Sequence, residues 1–187
     1  GEAEITMDHL LQHIAAGKNG SKRIWKQEEF IQELDALPFP ARELTPYHKY
    51  YSVLCKETPT TTAFSSRGCP FSCQFCDRPA LGKGFRAMTD KRVVDEMEWC
   101  ANHGIKEIFF YDDTFSVSKQ RVHKICNEIK RRGLAWQDER TKRWHHKIGW
   151  DVRTRVNVVD KDLLTNMSEA GCERIHFGVE SAVPRII

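Results

Sequence analysis

The alternation of strand and helix patterns after residue 58 constrains the fold of this chain more than any other feature of its sequence. Short runs of β-branched and aromatic residues alternate with segments whose apolar residues recur at helical spacing. Three of the helical segments end at a glycine, the residue that most readily adopts the left-handed conformation after a helix C-terminus. Alternation of this kind predicts parallel strands joined by right-handed helical crossovers.

Four strands are too few to close a barrel, so the expected fold is an open α/β sheet. Residues 136–147 are polar and charged without a period, which predicts an irregular surface insertion whose His145–His146 pair lies in solvent. The predicted strands are 60–64, 105–111, 148–153 and 174–179, and the predicted helices are 90–103, 122–133 and 163–171.

Composition excludes several classes of protein. The 187 residues carry a net charge of only +3, so no strong field favours nucleic acid. No apolar run approaches the length of a membrane span, and no secretory signal pattern is visible. Seven cysteines, an odd number, fit reduced thiols better than a disulfide framework. We therefore expect one domain with an appendage, located in the cytoplasm.

Three of the seven cysteines, Cys69, Cys73 and Cys76, follow the first predicted strand with the spacing C-x3-C-x2-C. Soft sulfur ligands favour zinc, copper(I) or an iron–sulfur cluster. A structural zinc site needs four protein ligands, whereas three cysteines on a cubic cluster leave one iron open for another ligand. Two alternatives remain: a three-cysteine zinc site completed by a distant histidine, and unrelated buried thiols.

The cysteine spacing, with Phe75 directly before the third cysteine, resembles the signature of the radical S-adenosylmethionine superfamily. This resemblance implies a [4Fe–4S] cluster held by Cys69, Cys73 and Cys76, with S-adenosylmethionine bound at the open iron and Phe75 near the adenine. The reduced cluster of that family cleaves S-adenosylmethionine to methionine and a 5′-deoxyadenosyl radical. A small-molecule substrate and an electron donor such as flavodoxin or ferredoxin are also implied.

Polar residues follow all four predicted strands, and reactive groups gather at the carboxyl ends of strands in parallel sheets. After the cysteines, these groups are Asp112 and Asp113, then Arg153 and Arg155, then Glu180 and Ser181. They should therefore share one rim.

The resemblance assigns roles to these rim residues. Asp112 and Asp113 match a segment that touches the methionine amino group, although either could instead cap the following helix. Arg155 matches a basic residue suited to a carboxylate, but Arg153 lies on the same side of its strand and is not distinguished from it.

Two further residues, Glu180 and Ser181, match an element that contacts the amino-acid or ribose part of S-adenosylmethionine. Arg67 and Arg86 also match recurring positions, and Arg86 is expected in a surface salt bridge. Cys55, Cys100, Cys126 and Cys172 lack metal-site spacing and are expected mainly in the core.

The N-terminal part has its own resemblance. Residues 1–20 are similar to the helix that closes the cobalamin-binding domain in one branch of the superfamily, with Ala3 in place of a glycine; a small capping helix is the alternative. Residues 21–58 then form a linker, and residues 59–187 are the N-terminal part of the radical core. That core is a six-stranded partial (β/α) barrel, so the chain would be truncated at both ends.

The branch implies cobalamin, bound through an upstream domain, and methylation or ring-forming chemistry. Two other functions stay open. A methylthiotransferase-like enzyme would need further N-terminal cluster cysteines, and residues 1–54 contain none. A non-catalytic scaffold stabilised by zinc or an iron–sulfur cluster would need a fourth protein ligand close to the three cysteines.

Overall fold

The computed structural model describes residues 2–17, 30–76 and 84–183. Short 3₁₀ turns lie at Leu34–Ala36, Arg42–Leu44, Tyr47–Lys49 and Val156–Val158. The other elements, in chain order, are α1 (Glu4–Ala15), β1 (Thr60–Ala63), β2 (Ser66–Arg67), β3 (Arg86–Ala87), α2 (Asp90–Asn102), β4 (Glu107–Phe110), α3 (Lys119–Arg131), β5 (Ala135–Gln137), β6 (Trp144–His146), β7 (Gly149–Thr154), α4 (Lys161–Glu169) and β8 (Cys172–Phe177).

The centre of the fold is a parallel sheet with the strand order β1-β4-β7-β8. Helices α2, α3 and α4 connect its consecutive strands, which is the crossover that parallel pairing requires. In register, Thr62 pairs with Phe109, and Phe109 pairs with Asp151. The predicted open α/β sheet is confirmed.

The core lies between the helices and one face of the sheet. Trp150 is fully buried there, and its indole Nε1 donates to the carbonyl oxygen of Ala170 at 2.9 Å. Cys100 and Cys126 are also fully buried, as predicted, and burial raises the pKa of each thiol to about 12. Other fully buried members are Val94, Ile108, Phe115, Val122, Leu163 and Met167.

The three crossover helices begin at polar caps. Thr89, Ser118 and Asp160 each accept a hydrogen bond from the backbone N–H three residues later. Because Ser118 caps α3, the prediction that Asp112 or Asp113 caps this helix is wrong. The glycines after the three helices have φ between 64° and 89°, in the left-handed region that the sequence predicted for them.

The segment between α3 and β7 differs from its prediction. Residues 136–147 were expected to be irregular, but β5 and β6 form an antiparallel hairpin in which Trp136 pairs and stacks with His145. Asp138 accepts hydrogen bonds from the backbone and hydroxyl of Thr141 and so fixes the turn. These cross-strand and turn contacts leave no apolar period in the sequence, so the pattern could not indicate them.

The linker packs along the sheet and α2. Arg42 is buried and donates to Thr61 Oγ1 at 3.0 Å, to the carbonyl oxygen of Thr62 at 2.7 Å, and to Glu96 Oε1 at 2.6 Å. Residues 18–29, which span the predicted boundary at residue 20, lie outside the described residues. The division at residues 20 and 58 therefore stays a prediction. None of the described helices is long and apolar enough to cross a membrane.

Candidate functional site

The loop that carries the three cysteines is closed at its base by a short antiparallel ribbon. Ser66 pairs with Ala87 and Arg67 pairs with Arg86, so the ribbon of β2 and β3 joins the two ends of the segment 68–85. Gly68 has φ 81°, which lets the chain turn sharply as it leaves β2. Two residues separate the end of β1 from the ribbon, so the loop lies beyond the carboxyl edge of the sheet. Residues 77–83 lie outside the described part.

The cysteines of this loop reach the ends of two further strands. Cys69 Sγ lies 3.7 Å from Thr114 Oγ1, which follows β4. Cys73 Sγ accepts a hydrogen bond at 2.9 Å from Nη1 of Arg155, which follows β7. Cys76 is exposed, and its backbone N–H donates to the carbonyl oxygen of Cys73. The loop thus lies across the carboxyl ends of β1, β4 and β7, the rim that the sequence predicted.

The three sulfurs are not gathered into a closed metal site. Within residues 2–17, 30–76 and 84–183, no three Cys, His, Asp or Glu side chains are grouped so that they could hold a metal ion. Their role as ligands therefore stays a prediction. The donor chemistry fits a three-thiolate cluster, because all three thiols occupy one loop and soft sulfur ligands favour such clusters.

Asp112 is hydrogen-bonded to the residues that precede the cysteine loop. Its carboxylate is fully buried and accepts hydrogen bonds from the backbone N–H of Ser65 at 2.7 Å and from the hydroxyls of Ser65 and Ser66 at 2.6 and 2.5 Å. Burial raises the pKa of Asp112, and the serine hydrogen bonds oppose that rise. Because both oxygens face the serines, any cofactor contact of this residue would come from its backbone. Asp113 is exposed.

The structure distinguishes Arg153 from Arg155, which the alternation of side chains along a strand could not do. Arg155 reaches Cys73, and its guanidinium lies 4.4 Å from the centroid of the Phe71 ring on the same loop. Arg153 instead stacks over Tyr111 at 4.4 Å. Arg155 is therefore the arginine that contacts the cysteine loop.

Arg153 lines a cavity of about 450 Å³ on the sheet face away from the helices. Its wall combines aromatic rings with Arg153 and Asp151, and Nε2 of His176 is buried there without a hydrogen-bond partner among the described residues. Residues 50–54 of the linker cover one side, with Tyr50 and Tyr51 among the lining residues. The sequence analysis missed this cavity, although the period-two pattern of β4, β7 and β8 places Phe109, Arg153 and His176 on one face.

A model of the Radical SAM superfamily matches residues 64–187. The chain belongs to the radical SAM superfamily. Its four-stranded sheet is accordingly a part of that family's partial barrel, as the sequence predicted.

Its relatives and structural neighbours include methyltransferases and a cyclase. The chain is 34% identical over 201 residues to the uncharacterized methyltransferase PH0819 of Pyrococcus horikoshii, covering 100% of this chain and 40% of the relative. It is 33% identical over 120 residues to the anaerobic magnesium-protoporphyrin IX monomethyl ester cyclase of Cereibacter sphaeroides, covering 63% of this chain and 18% of the relative.

A similar solved structure is the radical SAM methyltransferase TsrM from Kitasatospora setae, determined with cobalamin and a [4Fe–4S] cluster bound. The TM-score is 0.58 at 25% identity, over 67% of this chain and 22% of that one. The chain thus spans less than half the length of the relatives it matches.

Three further residues were predicted for the radical SAM site, namely Phe75, Glu180 and Ser181. Phe75 is 71% exposed. Glu180 follows β8 with φ 59°, an uncommon conformation for a residue other than glycine, and Ser181 comes next. Their roles toward S-adenosylmethionine stay predictions. Cys55, which was expected in the core, is instead half-buried beside Glu107 at the amino end of β4, and burial together with that carboxylate raises its pKa to about 11.

Proposed function

We propose that this chain is the cluster-binding part of a radical SAM enzyme and that Cys69, Cys73 and Cys76 bind a [4Fe–4S] cluster. One observation carries the proposal: the three cysteines occupy a single loop across the carboxyl ends of β1, β4 and β7. When bound at these cysteines, such a cluster would supply the electron that cleaves S-adenosylmethionine reductively. Closing the loop around the cluster is coupled to binding, as is usual for metal centres.

The side chains around the loop have two kinds of task in this proposal. Asp112 holds the backbone before β2, and Arg155 holds Cys73 against the end of β7. The polar groups of S-adenosylmethionine would be bound by Asp113, Glu180 and Ser181, because each of these residues lies after a strand at the same rim.

The reaction of the whole protein is methyl transfer to a small molecule or ring formation, with cobalamin bound upstream. The names of the similar proteins, two methyltransferases and a cyclase, support this part. Arg153 and His176 offer donors toward the cavity for polar groups of a small ligand. An electron donor such as flavodoxin or ferredoxin would act in the reducing cytoplasm.

Anaerobic reconstitution tests the cluster. The full chain should bind about four irons and about four sulfides. The electron paramagnetic resonance spectrum of the reduced protein should change when S-adenosylmethionine is added, because this ligand binds an open iron. Cys73→Ala should lose most of the iron, whereas Cys126→Ala, in the core, should keep it.

Three outcomes would contradict the proposal. A spectrum that S-adenosylmethionine leaves unchanged would favour a non-catalytic scaffold. Full retention of iron by Cys73→Ala would show that Cys73 is not a ligand. Stoichiometric zinc in place of iron would show that the three cysteines do not bind an iron–sulfur cluster.

A further inference from the structure

The ribbon at the base of the cysteine loop contains an unfavourable pair of charges. Arg67 and Arg86 lie directly opposite each other in the two-residue pairing of β2 with β3. Their side chains are only 13% and 10% exposed, so water screens their charges poorly. Like charges directly opposite in an antiparallel pair destabilise it. The loop is thus closed by a ribbon that needs an anion.

Glu2 provides this anion from the N-terminal segment. Its side chain is 1% exposed, its Oε1 accepts a hydrogen bond from Arg86 Nη2, and its Oε2 lies 3.4 Å from Arg67 Nη1. Oε2 also accepts from the backbone N–H of Ile31 at 2.9 Å. Burial opposes ionisation of Glu2, but the bonds from Arg86 and Ile31 and the nearby charges hold its pKa below the usual value. Glu2 is therefore a buried carboxylate between the two arginines.

Glu4 adds a second, more exposed contact. It accepts from Arg67 Nη2, and its side chain is 38% exposed. On the other side of the ribbon, Asp112 holds Ser65 and Ser66. Arg67 stands two residues before Cys69. The base of the loop is thus anchored both by the sheet and by the N-terminal segment.

We propose that Glu2 is a positioning residue, the shared counter-ion of Arg67 and Arg86 that fixes the base of the cysteine loop for cluster binding. This inference rests on the proposed function, since the cysteines must hold the cluster. Without Glu2, the two paired arginines lose the carboxylate that both of them contact, and the ribbon opens more readily. Residues that hydrogen-bond directly to a metal ligand typically change metal affinity by about 10- to 100-fold, and Glu2, which acts through two arginines, should reach about the lower of these values.

The test compares Glu2→Gln and Glu4→Gln with Asp8→Asn, all in the full chain. Asp8 lies on α1 and is bonded to Gln12 instead of the ribbon, so its variant is a matched loss of charge. After anaerobic reconstitution, Glu2→Gln should release iron to a chelator about tenfold faster or more. Glu4→Gln should have a smaller effect, and Asp8→Asn should match the native chain. Glu2→Asp, which keeps the charge, should recover part of the loss.

A second measurement needs no cluster. In the iron-free proteins, backbone hydrogen exchange at residues 65–69 and 84–88 should be faster in Glu2→Gln than in the native chain, while exchange in β4 and α3 stays the same. Equal loop exchange and equal iron release in Glu2→Gln and Asp8→Asn would overturn the inference, as would faster exchange throughout the protein. If the native chain binds no cluster, the proposed function fails, and the exchange comparison still decides whether Glu2 fixes the ribbon.

Discussion

Asp151 lies on the sheet face away from the helices and is completely buried. Burial and the negative charge of Glu107 raise the pKa of its carboxyl to about 7, although Arg174 donates to it at 2.7 Å. In an unfolded chain an aspartate titrates at about pH 4. Between these two values the folded protein binds the extra proton. The free energy of unfolding should therefore fall as the pH rises from about 4 to about 7.

Asp151→Asn should remove this part of the pH dependence, as measured by denaturant unfolding across the same pH range. Burial also raises the pKa of Asp112, which gives the free energy of unfolding a pH slope of the same sign in both proteins. The difference between the two slopes therefore reports Asp151 alone. Asp138→Asn is the control. Hydrogen bonds from Thr141 lower the pKa of Asp138, so its loss should leave the slope above about pH 5 unchanged. A curve for Asp151→Asn parallel to that of the native protein would contradict the prediction.

Replacing the buried carboxylate of Asp112 should also destabilise the protein. Asp112→Asn places an amide donor where three donors already converge from Ser65 and Ser66. A buried donor without an acceptor costs about 1–3 kcal/mol, so the free energy of unfolding of the cluster-free protein should fall by about that amount. Asp113→Asn, at the exposed neighbour, should change it by less than about 0.5 kcal/mol. Equal effects of the two variants would show that the buried network contributes little.

The elements of the parallel sheet were predictable because their signals are local. Apolar periodicity, a polar cap and a terminal glycine all lie within each helix or beside it, and the helix ends at Gly104 and Gly171 agree closely with the structure. The hairpin of β5 and β6 was not predictable, since its stability comes from the pairing of Trp136 with His145 across the turn. The alternation of residues along one strand does not indicate which residue of another strand each one pairs with.

The candidate site was predictable in its location but not in its contacts. Parallel topology alone brings the cysteine loop and the strand ends to one rim. The choice of Arg155 over Arg153 depends on a contact with Cys73, 82 residues away in sequence, and the anchoring of Arg86 by Glu2 spans 84 residues. The expected surface bridge of Arg86 is instead nearly buried, because the N-terminal segment covers it. Such pairings depend on the three-dimensional arrangement of segments and leave no mark on local sequence.

One of the contacts that join the linker to the rest of the molecule is made by a buried arginine. Arg42 and Glu96 have side chains only 6% and 7% exposed, and Arg42 also bonds to Thr61 and the backbone of β1. Arg42→Met should lower the free energy of unfolding by about 3–5 kcal/mol, because it leaves the Glu96 charge buried without its partner. Denaturant unfolding of the cluster-free chain measures this loss.

The double variant Arg42→Met with Glu96→Met distinguishes the lost charge pair from lost packing. It removes both buried charges, so it should recover much of the stability that Arg42→Met loses. Lys91→Met, at an exposed position on the same helix, should change stability by less than about 0.5 kcal/mol. If the double variant is no more stable than Arg42→Met, the linker is held by packing and by the bonds to β1 instead of the ion pair.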